Sequence, residues 1–252
     1  MEQLDAFYSE CLGFSAEKAK SGKTQVFASE RRLKNEEGYG VTFPFWMLYS
    51  ENRYIISIRP DLLDLVSALV RSESDARALF NEDGGIVVES WCRSVLPKDD
   101  AKKLRRIHSL EHYVDKEYFR PFNIPECRRL ISDDYKLIEK MSEISDFSCP
   151  DECIEDGTAF GVFVDEKLVA RSTTIPTPKV TGKYHLVWMG VETLAEYRRR
   201  GYAKAVVSGT TEALLSRELV PVYNHAVWNI ASRNTANSLG YKLYGETLRW
   251  QY

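Results

Sequence analysis

The sequence has 252 residues, of which 44% are hydrophobic, and a formal net charge of −3. This length suits one large domain or two small ones, and the slightly acidic balance argues against a general nucleic-acid-binding protein, which is usually basic. Because no apolar run approaches the ~20 residues that span a bilayer and the acidic start Met1–Asp5 does not resemble a signal peptide, we expect a cytoplasmic protein that binds neither membranes nor nucleic acids.

The first half of the chain has the mixed pattern of an α/β domain. Periodicity and turn residues predict, in order, a helix over 2–11, a hairpin of strands 41–49 and 54–58, helices over 60–71 and 75–80, and a strand over 86–91. Four aromatic residues of the hairpin, Phe43, Phe45, Trp46 and Tyr49, either pack into a core or line a pocket. The strand, turn and helix predicted over 54–70 loosely resemble those predicted over 186–215. The first half is therefore alternatively interpreted as a degenerate duplicate of the second half.

The charged stretch Pro97–Pro125 is interpreted as a partly helical connection between two domains, one over 1–120 and one over 125–252. His108 and His112 would share a face if this stretch were helical, and Cys149 and Cys153 are also four residues apart. Neither pair has the further ligands that a zinc site requires nearby in the sequence. The five cysteines are odd in number and scattered, which does not indicate a disulfide framework. We expect no metal.

The second half alternates strands and helices. The predicted order is a strand at 127–131, a helix at 132–145, a short helix or loop at 149–156, strands at 160–164 and 168–174, a loop at 176–183, a strand at 184–193, a helix at 202–217, a strand at 222–228, a helix at 232–239, and closing strands at 241–245 and 247–252.

The most informative segment is Tyr197–Ala203, a basic turn with a glycine between a predicted strand and a predicted helix. The first turn of a helix has N–H groups without internal partners, and the helix dipole makes that end partly positive. A diphosphate can accept these hydrogen bonds, and Gly201 allows the backbone to approach a ligand closely. The segment is therefore a candidate phosphate-binding turn.

Two motifs resemble those of the GNAT acetyltransferase superfamily. Arg198-x-x-Gly201-x-Ala203 fits the Q/R-x-x-G-x-G/A signature of that superfamily, within a strand, loop and helix of the right order. The run Asn229–Tyr241 resembles a later motif, in which an asparagine follows the fifth strand and the next helix ends in Leu-Gly-aromatic. The resemblance covers about residues 125–252 and leaves residues 1–120 unexplained.

This resemblance implies an α/β fold, with a mixed, mostly antiparallel central sheet and flanking helices, that binds acetyl-CoA as co-substrate. The diphosphate would lie on the Arg198–Ala203 loop, and the pantetheine arm would bond to the main chain of the fourth strand like an added strand. The residues implied in binding are Val191, Glu192, Thr193, Arg198, Arg199, Arg200, Gly201, Tyr202, Ala203, Asn229 and Ser232. Asn229 and Ser232 are equally plausible as caps of the following helix.

Acetyl transfer to an amine needs proton transfer. Glu192 on the fourth strand is the first candidate for the general base, with an exposed strand-end acid as the alternative; His185 is the second candidate. The tyrosine that usually acts as the acid in this family is replaced by Ala236. Tyr241 and Tyr197 are substitutes, although tyrosines near a sheet more often serve packing. A thiolate leaves readily enough that an acid is not essential.

The sequence therefore predicts an acetyl-CoA-dependent N-acetyltransferase, and the alternative is a non-catalytic coenzyme A-binding or protein-interaction module. The chain lacks the G-x-G-x-x-G motif of dinucleotide enzymes, the phosphate loop of nucleotide hydrolases and the G-x-S-x-G motif of hydrolases. The acceptor, a small-molecule amine or a protein amine, is left open. Residues 1–120 would either enclose the acceptor site or form a homodimer interface.

Overall fold

The computed structural model describes residues 1–14, 24–144, 149–175 and 178–252. Its contacts divide the chain into two units. Unit 1 comprises Met1–Glu111, Ala226–Trp228 and Tyr244–Tyr252, and unit 2 comprises His112–His225 and Asn229–Leu243. The predicted boundary near residues 120–125 differs from this division. The division also places Tyr244–Tyr252 in unit 1, although the sequence predicted these residues to belong to the second domain. Over the described ranges, no helix is both long and apolar enough to cross a membrane.

The described residues of unit 1 form strands in the order β1-β3-β2-β10-β4. The strands are β1 (Thr24–Ala28), β2 (Phe45–Ser50), β3 (Arg53–Ile58), β4 (Arg105–Tyr113) and β10 (Lys242–Gln251). The helices are α1 (Glu2–Leu12), α2 (Leu63–Leu69), α3 (Glu73–Ala78), α4 (Glu82–Val95) and α5 (Lys98–Lys103). Strands β2 and β3 form the predicted antiparallel hairpin, and β2 also pairs antiparallel with β10.

The aromatic residues of β2 serve two faces of unit 1. Phe45 and Met47 lie in a core with Leu248, Trp250 and the apolar sides of α2–α4. Trp46 points to the opposite face, where its ring lies 6.3 Å from that of Tyr8 on α1. Both faces of the sheet are therefore covered, and the core interpretation of Phe45 and Trp46 is confirmed.

The predicted strand over 86–91 is wrong, because these residues lie in α4. Val88, Trp91 and Cys92 are buried at helical spacing. A Cβ at Gly84 would lie 2.1 Å from the carbonyl oxygen of Ala78. The glycine allows the first turn of α4 to lie against the end of α3.

The connection predicted over 97–125 also needs correction, because it contains α5 and the nine-residue strand β4. His108 and His112 therefore lie on a strand rather than on a helix. His108 Nε2 lies 2.7 Å from Glu246 Oε1, so this histidine has a structural partner in unit 1. The two closing strands predicted over 241–252 are one strand, β10, since pairing with β2 continues at Glu246 opposite Tyr49.

The described residues of unit 2 form strands in the order β9-β8-β7-β6-β5. The strands are β5 (Cys127–Arg129), β6 (Phe160–Val164), β7 (Lys167–Ile175), β8 (Leu186–Thr193) and β9 (Val220–Ala226). The helices are α6 (Tyr135–Ser142), α7 (Asp151–Glu155), α8 (Pro178–Tyr184), α9 (Tyr202–Leu215) and α10 (Ile230–Ser238). Pairing is antiparallel from β5 to β8 and parallel between β8 and β9. The mixed, mostly antiparallel sheet with flanking helices is as predicted.

Two helical layers cover the sheet of unit 2. Helices α6 and α7 bury Ile138, Met141 and Cys153 against Leu168, whereas α9 buries Val206 and Val207 against other apolar residues of unit 2. The loop predicted over 176–183 is wrong for its described part, because residues 178–184 form α8. A proline at the first helical position needs no N–H partner there, so Pro178 is compatible with a helix start.

We predict a pH-dependent stabilisation from Asp134, before α6. Its carboxylate accepts two hydrogen bonds of 2.7 Å from Arg128 and one of 3.0 Å from the N–H of Ile131. The bond from Arg128 is the main reason that the pKa of Asp134 lies below its ordinary value. A depressed pKa gives stability that is present above the ordinary aspartate value and lost as the pH falls through the folded value. Asp134→Asn should therefore lower the free energy of unfolding by about 1 kcal/mol at neutral pH.

The measurement is urea unfolding of both proteins between neutral and acidic pH. The difference between them should shrink as the pH falls below about 4, where the aspartate of the unfolded chain is protonated. Asp133→Asn, at the exposed neighbouring position, should leave the stability unchanged. A loss that stays constant with pH would show that the charge of Asp134 is not what stabilises the fold.

Candidate functional site

Strand β8 has an open edge in its second half. It pairs with β9 only over Leu186–Trp188, opposite Val220–Val222. On its other side, β8 stays paired with β7 as far as Thr193. Among the described residues, no strand therefore pairs with the β9-facing edge of Met189–Thr193. Main-chain groups of this segment are available to an extended ligand that bonds like a strand.

The Arg198–Ala203 loop leads directly from this open edge into α9. Gly201 is the N-terminal cap of the helix and has φ 86°, in the left-handed region that favours glycine. Helical bonding begins at Ala205, whose N–H donates to the carbonyl of Gly201 at 3.0 Å. Within the described ranges, the N–H groups of Gly201–Lys204 donate to no protein acceptor. Four free donors at the positive end of a helix can bind a phosphate group.

The three arginines of the loop are exposed, and two of them brace the turn. Arg198 Nε donates to the carbonyl of Thr193 at 3.1 Å. Arg200 donates to the carbonyl of Glu196 at 3.3 Å, and its guanidinium lies 5.4 Å from the centroid of the Tyr197 ring. Both therefore fix the loop and place positive charge next to the free amides. Arg199 has φ 63°, which makes it part of the same tight turn.

Glu192 lies on the open segment of β8, directly opposite Arg171 on β7. Arg171 Nη2 is 3.4 Å from Glu192 Oε2, and the arginine side chain is fully buried. The same guanidinium donates to the carbonyl of Ile138 at 3.2 Å and to Ser142 Oγ at 2.9 Å. Burial lowers the pKa of Arg171, while the charge of Glu192 opposes that shift. Glu192 is therefore a half-exposed carboxylate held by a buried cation, not an isolated surface acid.

Tyr241 is buried in the core of unit 2. Its hydroxyl lies 2.7 Å from Thr211 Oγ1 and donates to Met189 Sδ at 3.5 Å. Burial raises the pKa of Tyr241 well above the ordinary value. Ala236, at the position of the usual family tyrosine, is also fully buried. This placement favours a packing role for Tyr241, and its role as an acid stays a prediction.

Asn229 caps α10, because its Oδ1 accepts the N–H of Ser232 at 3.1 Å. The side chain of Ser232 is hydrogen-bonded to the hydroxyl of Tyr223, whose pKa is raised mainly by burial and lowered in part by this bond. Both residues therefore have structural partners in unit 2. Their predicted contact with the cofactor stays a prediction.

Asn229→Ala should lower the free energy of unfolding by about 1 kcal/mol, the usual cost of losing a helix cap. Asn229→Ser should retain most of that stability, because serine caps comparably. The measurement is chemical denaturation of the three proteins, followed by the KM for acetyl-CoA. If Asn229→Ser folds as stably as the native chain but binds acetyl-CoA poorly, Asn229 contacts the cofactor as well as capping the helix. Equal stability of all three proteins would contradict the capping role.

The remaining candidates for proton transfer lie apart from the open edge. His185 precedes β8 and lies next to its paired end, whereas Thr193 marks the open end. His185 is therefore poorly placed as a base. Tyr197 lies in the short 3-10 turn before the loop, where Lys167 Nζ and Arg200 Cζ lie 5.3 Å and 5.4 Å from the centroid of its ring.

Sequence reasoning missed Arg171. A charged residue within the predicted strand 168–174 was the available signal, because a buried charge needs a partner. The partner became known only from the register of β7 and β8. Among the residues whose placement the structure describes, no group of three or more His, Cys, Asp and Glu side chains could hold a metal ion. Cys153 instead contacts Thr174, with its Sγ 3.1 Å from the threonine Oγ1.

Comparison with known proteins identifies the family. Residues 88–248 match the model of a family described as GNAT acetyltransferase. The match begins well before residue 125, where the resemblance of the motifs was expected to start. No curated protein is significantly similar to the sequence.

Solved structures of GNAT proteins are also similar to this chain. A GNAT-family protein of Novosphingobium aromaticivorans DSM 12444 is 21% identical, with 58% of this chain and 65% of that chain covered and a TM-score of 0.47. A GNAT-family acetyltransferase of Colwellia psychrerythraea is 13% identical (66% and 61% covered, TM-score 0.48). A GCN5-related N-acetyltransferase of Kribbella flavida is 13% identical (59% and 59% covered, TM-score 0.44). The chain thus covers less than two thirds of the length of each of these proteins.

Proposed function

The chain belongs to the GNAT acetyltransferase family, and we propose that it is an acetyl-CoA-dependent N-acetyltransferase that transfers the acetyl group by direct attack of an amine in a ternary complex. The observation on which this proposal depends is the group of four free N–H donors at Gly201–Lys204, next to the open edge of β8. A diphosphate and an amide-bearing arm are the chemical groups that these two features accommodate together.

The binding roles follow from these features. Main-chain N–H groups of Gly201–Lys204 bind the diphosphate, and the exposed Arg198, Arg199 and Arg200 add positive charge. Main-chain groups of Val191–Thr193 bond to the pantetheine amides, and an N–H of the same segment stabilises the carbonyl oxygen as negative charge develops on it. The co-substrate supplies an activated acetyl thioester. Tyr202, Ala203, Asn229 and Ser232 complete the proposed binding set.

Glu192 is the proposed general base. Its carboxylate takes a proton from the acceptor ammonium, so that the neutral nitrogen can attack the carbonyl carbon. The carbon–nitrogen bond forms and the carbon–sulfur bond breaks, so that the sulfur leaves as a thiolate. The cationic nitrogen then gives its remaining extra proton to this thiolate or to solvent, and the products are a neutral amide and coenzyme A. Arg171 holds the carboxylate in position at the open segment of β8. Tyr241 is the proposed acid, although the thiolate is able to leave without one.

A non-catalytic coenzyme A-binding or protein-interaction module is the alternative. The observation in its favour is the buried Ala236 where the family usually has its acidic tyrosine. The exposed loop with its free amides argues against loss of ligand binding. Binding and turnover must therefore be measured separately.

The first experiment is thermal unfolding of the whole chain with and without acetyl-CoA. A ligand at 100 times its Kd stabilises the native state by about 2.7 kcal/mol, which corresponds to a rise in Tm of roughly 5–10 °C for a chain of this size. The second experiment measures thiol release from acetyl-CoA with a panel of amines. A rise in Tm without release for any small or peptide amine would favour the non-catalytic module. No rise at millimolar acetyl-CoA would exclude the transferase and favour a protein-interaction module that has lost the ligand.

The acceptor is proposed to be a small-molecule amine or a protein amine. We further propose that the protein acts in the cytoplasm, without binding nucleic acids or membranes, and that residues 1–120 mediate a homodimer. Sedimentation equilibrium of the whole chain would test the dimer.

A further inference from the structure

A cavity of about 200 Å³ lies in unit 2, between the C-terminal half of α6 and the turn that joins β6 to β7. Most of its lining is apolar and consists of Leu137, Met141, Ile144, Leu168 and Leu194. Met141, Leu168 and Leu194 are buried, whereas Ile144 is 64% exposed. The cavity therefore has an apolar floor and a wall that solvent reaches, and we call it the Leu194 cavity.

The charged residues of the Leu194 cavity lie at its rim. They are Lys140, Asp165, Glu166 and Lys167, and the first three are exposed. Lys167 Nζ is held by Glu196 Oε1 at 3.2 Å. Asp165 and Glu166 have φ 47° and 60°, as in the two-residue turn of a tight hairpin. These charges therefore stay in water, and a group that enters the cavity meets apolar side chains.

The volume of the Leu194 cavity limits what it can hold. A cavity of roughly 150 Å³ with an aliphatic and aromatic lining binds a benzene-sized molecule and stays dry without one. Pockets that enclose a whole drug-sized ligand measure about 300–1,000 Å³. The Leu194 cavity falls between these sizes, so it suits one compact apolar group of about five to seven carbons rather than an entire polar molecule.

The Leu194 cavity lies on the same face of the sheet as Glu192. Leu194 packs in one apolar cluster with Met141 of α6, and its N–H still donates to a carbonyl of β7 at 3.0 Å, as in a strand. Glu192 is paired with Arg171, which donates to the carbonyl of Ile138 on α6. Both side chains therefore point towards α6, as expected for residues two apart in a strand, about 7 Å from each other.

From this placement we infer that the acceptor is an amine with one compact apolar group, and that this group fills the Leu194 cavity while the nitrogen lies at Glu192. This assignment depends on the proposed function, in which Glu192 takes the proton from the amine. A short carbon chain spans the distance between the two positions. A polyhydroxylated amine would place unpaired hydroxyl groups against the apolar floor, which is unfavourable. The cavity therefore selects a branched aliphatic or small aromatic amine.

The test compares 3-methylbutylamine with ethylamine as acceptors for the whole chain, with thiol release from acetyl-CoA as the readout. Both are primary amines, and they differ only in the branched group that would enter the cavity. Moving each CH₂ from water into an apolar site contributes roughly a fourfold gain. The kcat/KM for 3-methylbutylamine should therefore be higher by about tenfold or more. Binding of both amines to the complex with coenzyme A, measured by calorimetry, should show the same preference without any turnover.

Ile144→Trp is the variant that fills the cavity, because Ile144 forms the wall that solvent reaches. It should lower kcat/KM for 3-methylbutylamine about tenfold more than kcat/KM for ethylamine. The matched control is Ile131→Trp, which enlarges another exposed isoleucine of unit 2 outside the cavity lining and should leave the preference unchanged. If Ile144→Trp does not fold, Leu137→Phe, which also narrows the cavity, has the same expected effect.

The results separate this assignment from the proposed function. Thiol release with both amines at similar kcat/KM would overturn the assignment of the cavity and leave the transferase standing. Preferential binding of 3-methylbutylamine that Ile144→Trp removes, without thiol release from any amine, would support occupation of the cavity by the apolar group and contradict the transferase. Equal effects of Ile144→Trp and Ile131→Trp, or no saturable binding of 3-methylbutylamine, would also overturn the assignment.

Discussion

Gly201→Val should raise the KM for acetyl-CoA about 100-fold and abolish the rise in Tm that this ligand causes. The backbone of Gly201 has φ 86°, which a β-branched residue adopts only with strain. The turn before α9 would relax, and the free N–H groups of Gly201–Lys204 would no longer be held together. A hundredfold change corresponds to about 2.7 kcal/mol, which is comparable to the loss of two hydrogen bonds to a charged group.

The matched control is Gly40→Val in unit 1. Gly40 has φ 66°, and an added Cβ there would meet nothing within 4 Å. Both variants therefore pay a similar conformational cost, but only Gly201 belongs to the proposed phosphate-binding loop. Gly40→Val should be less stable than the native chain and have an unchanged KM. If Gly201→Val lost stability to the same degree and kept its KM within about threefold, the amides of this loop would not bind the diphosphate.

The Arg198–Ala203 loop was predictable from the sequence because its geometry is local. A strand, a glycine that permits positive φ and a helix with its buried face at helical spacing are each encoded within a few residues. The predicted helix 202–217 corresponds to α9 over Tyr202–Leu215. The same holds for the cap at Asn229, which the structure places at the start of α10.

The open edge of β8 was not predictable from residue patterns, because it depends on where pairing between distant segments ends. Nothing within β8 or β9 marks Trp188 and Val222 as the last pair. The contact between Arg171 and Glu192 likewise depends on the register of β7 and β8. Only the resemblance to a known family led to the proposal that main-chain groups of Val191–Thr193 bind the co-substrate.

The errors occurred where a short apolar run fits both a helix and a strand. Ile86–Trp91 is rich in β-branched residues and follows two glycines, yet it lies in α4 because Val88, Trp91 and Cys92 pack on one helical face. Periodicity cannot separate the two structures over so few residues. Tyr241 illustrates a second limit, since its sequence position does not reveal that Thr211 and Met189 enclose its hydroxyl.

Glu192→Gln should lower kcat about 100-fold and leave the KM for acetyl-CoA within about threefold. Glutamine has nearly the same shape and still accepts a hydrogen bond from Arg171, but it cannot take a proton from the acceptor ammonium. The main chain of Val191–Thr193, which is proposed to bind the co-substrate, is unchanged.

Glu196→Gln is the matched control for the catalytic role of Glu192. Glu196 is 60% exposed and pairs with Lys167 at 3.2 Å, close to the same loop but outside β8. Its replacement should change kcat by no more than about twofold, because an exposed ion pair contributes little. If Glu192→Gln also kept its kcat within about threefold, proton transfer would not depend on this carboxylate. Glu192 would then serve only as the counter-ion that allows Arg171 to be buried between β7 and α6.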